Sequence, residues 1–289
     1  MVAVIDSPDF MFFDIKIKDV SKSKKILFFI KGVIVGSIYK NTEKKLFCFL
    51  MNIFFLKSKK IFYNKGMYFI KLDNGHQINY PNKRIVRVFR NENFFFKLML
   101  ETYCVDKLIL NNDDLIVDCG ANIGELFFAL NKITKNLKYT AIEPDIKVFN
   151  ALERNLKNFD NTKIYKFAAS NNENLEKLYT DDFGANSSLE YFGSEEYETV
   201  ETKKIDSLNL KNVKLLKIEA EGHEENVLKG CEETLKNTNY VVIDYGPEKG
   251  IEQASTMKDV INFMYKNNFT LIDTSPHRQV GLFENQKYV

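Results

Sequence analysis

The residues that build metal sites and disulfides are scarce in this chain of 289 residues, which has four cysteines and three histidines. Cys48, Cys104, Cys119 and Cys231 stand far apart, with no C-x-x-C pair and no histidine at ligand spacing. That argues against a disulfide framework and a zinc site, and it suits a reducing compartment. Long apolar runs are missing as well. A spanning helix needs about 18 uninterrupted apolar residues, but Lys31 ends the cluster Ile26 to Ile30, and the cluster Leu46 to Leu56 stops well short. The first residues hold no apolar stretch followed by a small-residue cleavage site, so no signal peptide is expected and the reading is cytoplasmic. Internal repeats, low-complexity tracts, recognition helices and RNA-binding motifs are absent too, and nucleic acid is not expected as a partner.

What is present is a globular composition, 45% hydrophobic and 28% charged, on a chain long enough for one large domain with a substantial extension. The net charge of +2 conceals a division. Residues 1–97 carry 19 Lys and Arg against 7 Asp and Glu, whereas residues 98–289 carry 22 against 32. The basic excess is concentrated in residues 15–60, where lysines bracket the two apolar clusters. Two readings of this region compete. In one, a small helical layer packs its Phe and Leu faces on the main domain and leaves its lysines solvated. In the other, lysine-flanked apolar helices lie on an anionic membrane leaflet or an acidic polymer, which would place the protein peripherally at the inner membrane face.

Further along, Met67 to Leu72 and Gln77 to Tyr80 flank Asp73-Asn74-Gly75 and read as a β-hairpin, because Asn-Gly is a strong turn signal. Arg84 to Phe89 reads as an added strand and Asn93 to Tyr103 as a helix. From residue 115 onward strands and helices alternate, the pattern of a parallel sheet covered on both faces. The strands are expected at 115–119, 138–142, 163–168, 213–219, 239–244, 269–273 and 280–284, and the helices at 124–135, 146–157, 224–236 and 256–267. The polar interval 170–212 interrupts this rhythm with a few short antiparallel strands.

The most informative stretch is Leu115-Ile116-Val117-Asp118-Cys119-Gly120-Ala121-Asn122-Ile123-Gly124, a buried strand entering a glycine-rich turn and then an amphipathic helix. The second strand ends on Ile142-Glu143-Pro144-Asp145. A glycine turn at one strand tip and a carboxylate at the next is how an α/β sheet grips a nucleoside: backbone N–H groups approach the ligand and the carboxylate accepts from the ribose hydroxyls. An adenosine-containing cofactor follows. A dinucleotide turn wants glycine where Asn122 stands, so that the pyrophosphate can approach. Asp118 would repel a pyrophosphate but attract the ammonium and sulfonium of S-adenosylmethionine.

Three segments carry a family resemblance: LIVDCGANIG at 115–124, AIEPD at 141–145 and LLKIEAEGHEENVLKGCEETL at 215–235. With them, residues 90–275 resemble the FkbM family of S-adenosylmethionine-dependent methyltransferases. The resemblance implies an α/β, class I methyltransferase (Rossmann-like) fold, a seven-stranded, mostly parallel sheet with helices on both faces and an antiparallel last strand. It also implies methyl transfer to oxygen, with S-adenosylhomocysteine as the product. The acceptor would be a sugar hydroxyl of a surface polysaccharide or glycolipid, or a hydroxyl of a secondary metabolite. Residues 1–90 then form a basic, aromatic-rich extension with helices and a hairpin, and residues 91–289 the methyltransferase domain. Glu219 departs from the aspartate that the family usually has there. An NAD-dependent oxidoreductase or epimerase is the alternative on the same turn.

The expected donor site comprises the backbone of Gly120, Ala121, Asn122, Ile123 and Gly124 around the methionine portion, with Asp118 near its ammonium. Glu143, followed by Pro144, would hold the ribose, and Ala168 and Ala169 would flank the adenine. An acceptor hydroxyl needs a base. His223 ranks first, because its ordinary pKa is near neutrality; Glu219, Glu221 and His277 follow. Glu219, Glu221 and Asp244 could alternatively hold a divalent cation that orients two sugar hydroxyls.

Overall fold

The computed structural model describes residues 21–54, 59–86, 92–180 and 187–288, which fall into two compact units, residues 1–95 and 96–289. In the first unit, helices α1 (Lys22–Asn41) and α2 (Lys44–Phe54) precede a three-stranded antiparallel sheet of β1 (Ile61–Asn64), β2 (Met67–Lys71) and β3 (Gln77–Tyr80). The hairpin expected at Asn74-Gly75 is there, with Lys71 opposite Gln77 and Gly75 at a φ of 84°. A second hairpin precedes it, turning on Lys65 and Gly66 so that Asn64 faces Met67. The strand expected from Arg84 is corrected: Lys83–Ile85 form a turn of 3-10 helix because the Asn82 side chain accepts from the Arg84 N–H at 3.0 Å. Residues 87–89 of that expected strand lie outside the described residues. Helix α3 (Glu92–Thr102) contains the division between the units.

The second unit is built on a seven-stranded sheet. In chain order its strands are β4 (Leu115–Cys119), β5 (Lys138–Ile142), β6 (Thr162–Tyr165), β11 (Val213–Ile218), β12 (Thr238–Asp244), β15 (Phe269–Thr274) and β16 (Val280–Asn285). Across the sheet the order is β15-β16-β12-β11-β4-β5-β6. Only β16 runs antiparallel to its neighbours. Numbered within the sheet from β4, the order is 3-2-1-4-5-7-6, the class I methyltransferase arrangement. Helices α4 (Glu125–Ile133), α5 (Ile146–Leu156), α6 (Glu224–Lys229), α7 (Glu232–Leu235) and α8 (Met257–Lys266) connect the strands. Alternate residues of each strand serve opposite faces. Val117, Leu216, Ile218, Val241 and Ile243 pack with Val227, Leu228, Val260 and Met264 of α6 and α8. On the other face Tyr139 meets Phe127 of α4 edge to face, with ring centroids 5.2 Å apart.

Two expected elements are shorter in the structure. The third strand ends at Tyr165 rather than 168, because Phe167 enters the core. Ala168–Ala169 then forms β7 and pairs with Thr202 and Lys203. That pairing belongs to a separate four-stranded sheet of β7, β8 (Leu175–Thr180), β9 (Ser187–Ser188) and β10 (Tyr197–Lys203). A two-stranded ribbon, β13 (Pro247–Lys249) and β14 (Ala254–Ser255), completes the strands. The helix expected over 224–236 breaks at Gly230. Asp206 imposes the break by accepting from the N–H groups of Glu233 and Thr234 at 3.0 and 2.7 Å, which starts a new helix. A Cβ on Gly230 would lie 1.9 Å from the Ser170 carbonyl oxygen, so only glycine lets these two segments meet.

Candidate active site

Parallel register places the tips of β5, β4 and β11 side by side, with Cys119 level with both Ile142 and Ile218. The turn after β4 is pinned from below, because the N–H groups of Gly120 and Ala121 both donate to the Ile142 carbonyl at 3.0 Å. Gly120 has a φ of 77°, and a Cβ there would stand 2.1 Å from the Glu219 carbonyl oxygen. Asn122 holds a left-handed φ of 50°, a conformation costly for most side chains and concentrated at functional sites. Its N–H donates to Glu143 Oε2 at 2.9 Å, while the Asp145 N–H donates to Glu143 Oε1 at 3.0 Å. Glu143 thus ties the glycine turn to the start of α5, whose N-cap is Asp145. A carboxylate has about four lone-pair positions, so two neutral partners leave room for a ribose diol. Burial pushes the Glu143 pKa up to about 8.

Beneath the turn lies a charged network set by strand register. Lys217 on β11 is directly opposite Asp118 on β4. Its Nζ reaches Asp118 Oδ1 and Glu219 Oε2, each at 3.0 Å, and donates to the Gly120 carbonyl at 2.7 Å. Burial alone would lower the Lys217 pKa, but Asp118, Tyr103 and Glu219 hold it well above the ordinary value. The Tyr139 hydroxyl donates to Asp118 Oδ2. Glu219 accepts from the Tyr103 hydroxyl at 2.5 Å and from Arg278 Nη1 at 2.7 Å. Arg278 also lies 2.8 Å from Asp244 Oδ2 and 3.1 Å from Glu248 Oε1. Burial drives the Asp244 and Glu248 pKa values up to about 6 and about 7.

The loop after β11 holds a second constellation. Glu221 has a φ of 48° and precedes Gly222 at 97°. Glu224, 1% exposed, clamps the loop by accepting from the N–H groups of Ala220 and Gly222 at 3.1 and 3.0 Å, and from the Thr256 hydroxyl at 3.0 Å. His223 follows at the N-cap position of α6, but its side chain makes no capping bond. Instead its Nδ1 is 2.8 Å from Glu190 Oε1 and its Nε2 is 3.0 Å from Ser170 Oγ. Glu190 has its pKa lowered by the hydrogen bond from His223, so it is an acceptor only. Asn226 Nδ2 lies 3.3 Å from the same Nδ1. In the neutral imidazole that donates Nδ1–H to Glu190, Nε2 is left as the acceptor for the Ser170 hydroxyl.

The expected site residues divide accordingly. Gly120, Ala121, Asn122, Ile123, Gly124, Glu143 and Pro144 are gathered at neighbouring strand tips. Asp118, expected near a donor ammonium, has a carboxylate that is 1% exposed and engaged by Lys217 and Tyr139 beneath the turn. Glu219, expected as a candidate base, is held in its charged form. Burial would raise its pKa, but Lys217 and Arg278 hold it far below the ordinary carboxylate range, so it cannot take a proton near neutrality. Ala168 and Ala169 are buried in the smaller sheet, and the next residue, Ser170, is the one that reaches His223. His277 is exposed between β15 and β16, with Nε2 3.3 Å from Glu101 Oε2; its neighbour Arg278 is what enters the network. The cation alternative gains no support. Arg278 bridges Glu219 and Asp244, and among the described residues no group of His, Cys, Asp and Glu has a metal-holding arrangement. Sequence reasoning missed Tyr103, Tyr139, Glu190, Glu224 and Glu248. Tyr103 lies outside the matching segments and Glu190 in the irregular interval, with no local signal for either.

The Methyltransferase FkbM domain matches residues 118–271, more than half of the chain. This chain belongs to that family. The strand order of its sheet is that of the class I methyltransferases, and the family match is to a methyltransferase domain and not to an NAD-dependent enzyme. Solved structures of similar shape include the FkbM methyltransferase of Methylobacillus flagellatus KT, at 18% identity and a TM-score of 0.48, covering 69% of this chain and 52% of that one. The present chain thus spans about half the length of that protein. Aeropyrum pernix fibrillarin with natively bound S-adenosyl-L-methionine is similar at 10% identity, 79% and 99% coverage and a TM-score of 0.42. M. jannaschii TYW2 in complex with AdoMet follows at 15% identity, 80% and 88% coverage and a TM-score of 0.37. No curated protein matches the chain.

Proposed function

We propose that this chain is an S-adenosylmethionine-dependent O-methyltransferase that modifies a sugar hydroxyl of a surface polysaccharide or glycolipid precursor. The observation that carries the reading is the Ser170–His223–Glu190 chain, in which His223 comes from the loop after β11, the strand beside β4 and its glycine turn, while Ser170 and Glu190 come from the segments after β7 and β9. The donor supplies an activated methyl group. The turn from Gly120 to Gly124 and Glu143 would hold it, Glu143 through its unused lone pairs. An alcohol is a poor nucleophile until its proton is taken. Ser170 passes the acceptor proton to His223 Nε2, and Glu190 stabilises the imidazolium that results. Alignment of the two reactants and exclusion of water supply the remaining acceleration. A sugar acceptor fits the rim carboxylates Glu190, Glu221 and Glu248, since neighbouring hydroxyls are gripped by carboxylate oxygens as a ribose diol is.

The test is transfer of a labelled methyl group from S-adenosylmethionine to nucleotide sugars and glycolipid extracts, followed by mass spectrometry of the hydrolysed product. The expected product is a monosaccharide one CH₂ heavier, with the label in an alkali-stable ether. Label found only in esters, amines or RNA would exclude the acceptor class. Failure to bind S-adenosylhomocysteine would exclude the donor.

A further inference from the structure

Helix α1 is apolar on two opposite sides. Val35 and Ile38 are buried. At about 100° per residue, Ile26, Phe29, Ile30, Val33 and Ile34 cluster around the opposite side. All five are exposed, Phe29 by 71% and Ile26 by 63%. Helix α2 repeats the arrangement: Phe47, Cys48 and Met51 are buried, while Leu46, Phe49 and Ile53 are exposed. A helix that is apolar all round belongs in a core or against lipid. Among the described residues, no helix is long and apolar enough to cross a membrane. The charge on these helices has one sign: Lys22, Lys24, Lys25, Lys31, Lys40, Lys44 and Lys45 stand against the single acid Glu43 in residues 21–54. Lysine stems allow the charged heads to reach headgroup phosphates while the neighbouring apolar side chains enter the acyl boundary.

We propose that the outward faces of α1 and α2 form a docking surface for an anionic lipid bilayer, on which the helices lie rather than span. Charge complementarity selects this occupant over a second copy of the chain, because two such faces would bring like charges together. The surface is independent of donor chemistry, so its test is separate from that of the proposed reaction. Full-length protein is floated with vesicles of phosphatidylcholine alone and with vesicles of equal parts phosphatidylcholine and phosphatidylglycerol, at low and high salt. Flotation is expected only with the anionic vesicles, and should weaken about five-fold for each lysine exchanged in Lys22→Gln, Lys24→Gln and Lys25→Gln. The variant Phe29→Glu/Val33→Glu changes solvent-facing positions and should abolish flotation, with circular dichroism and S-adenosylhomocysteine binding unchanged. Absence of flotation at low salt would overturn the proposal. So would equal flotation with neutral vesicles, or an oligomer in light scattering that Phe29→Glu/Val33→Glu dissolves.

Discussion

If Glu143 accepts the two ribose hydroxyls of the donor, it must do so as a carboxylate, and its surroundings make that form scarce at neutral pH. Burial raises its pKa to about 8, although the Asp145 and Asn122 N–H groups pull the other way. One unit below that pKa only about one molecule in eleven is ionised. Apparent affinity scales with the competent fraction, so binding near pH 7 should be about tenfold weaker than its plateau above pH 9. Each further unit of acidification should cost about another factor of ten, and binding should release a proton. The clean probe is methylthioadenosine, which keeps the ribose diol but has no ammonium or carboxylate of its own to titrate. Isothermal titration from about pH 6 to pH 9.5, in buffers of different ionisation enthalpy, reads both the affinity and the proton. The variant Glu143→Gln should flatten the profile near the affinity of the protonated protein. Tight binding that stays constant across that range, with no proton released, would refute the role given to Glu143.

Removing the cation between Asp118 and Glu219 should unfold the domain readily. Lys217→Met leaves Asp118 buried with no cation and Glu219 with Arg278 alone, at a cost of about 3–5 kcal/mol, a fall of about 10 °C in midpoint by calorimetry; a change below about 1 kcal/mol would show that the network is dispensable. For the proton relay, Glu190→Gln removes the group that fixes the His223 tautomer. We expect kcat to drop about 100-fold with donor affinity unchanged and much of the activity restored by Glu190→Asp; an unchanged kcat would take the Glu190–His223 contact out of the chemistry.

The seven-stranded sheet is legible because its strands are short runs of Val, Ile and Leu between polar loops and the turn Gly120 to Gly124 stands at a strand end; the hairpin of the first unit is legible from Asn74-Gly75. The hairpin at Lys65-Gly66 is not. Lysine in a left-handed conformation, here with a φ of 48°, carries no sequence signal, so β1 went unnoticed. Phe167 and Ala168 extend the apolar run of the third strand in the sequence, and only the packing shows that they leave the sheet. Site residues on motifs were found, whereas those defined by register were not. Lys217 meets Asp118 because a bulge between Val213 and Leu215 shifts β11 against β4, and no local pattern announces that alignment. The same holds for Glu190, which comes from the interval between the fold's regular elements, whereas Arg278 stands beside His277 in the strand-end loop 274–278 that the sequence pattern marks.

The register explains why donor turn and acceptor loop should respond together. Lys217 donates to the Gly120 carbonyl on one side and binds Glu219 on the other, and Glu219 opens the loop that carries Glu221 and His223. The Glu219 backbone N–H closes the circuit on the Cys119 carbonyl at 3.1 Å. One buried ammonium therefore fixes the spacing between the two halves of the site, a separation that in-line transfer requires to be held within a few tenths of an ångström. An aspartate at 219 would have to reach Lys217, Arg278 and Tyr103 with a side chain one methylene shorter. The longer glutamate suits a site in which three partners converge from β11, the last hairpin and the segment after α3.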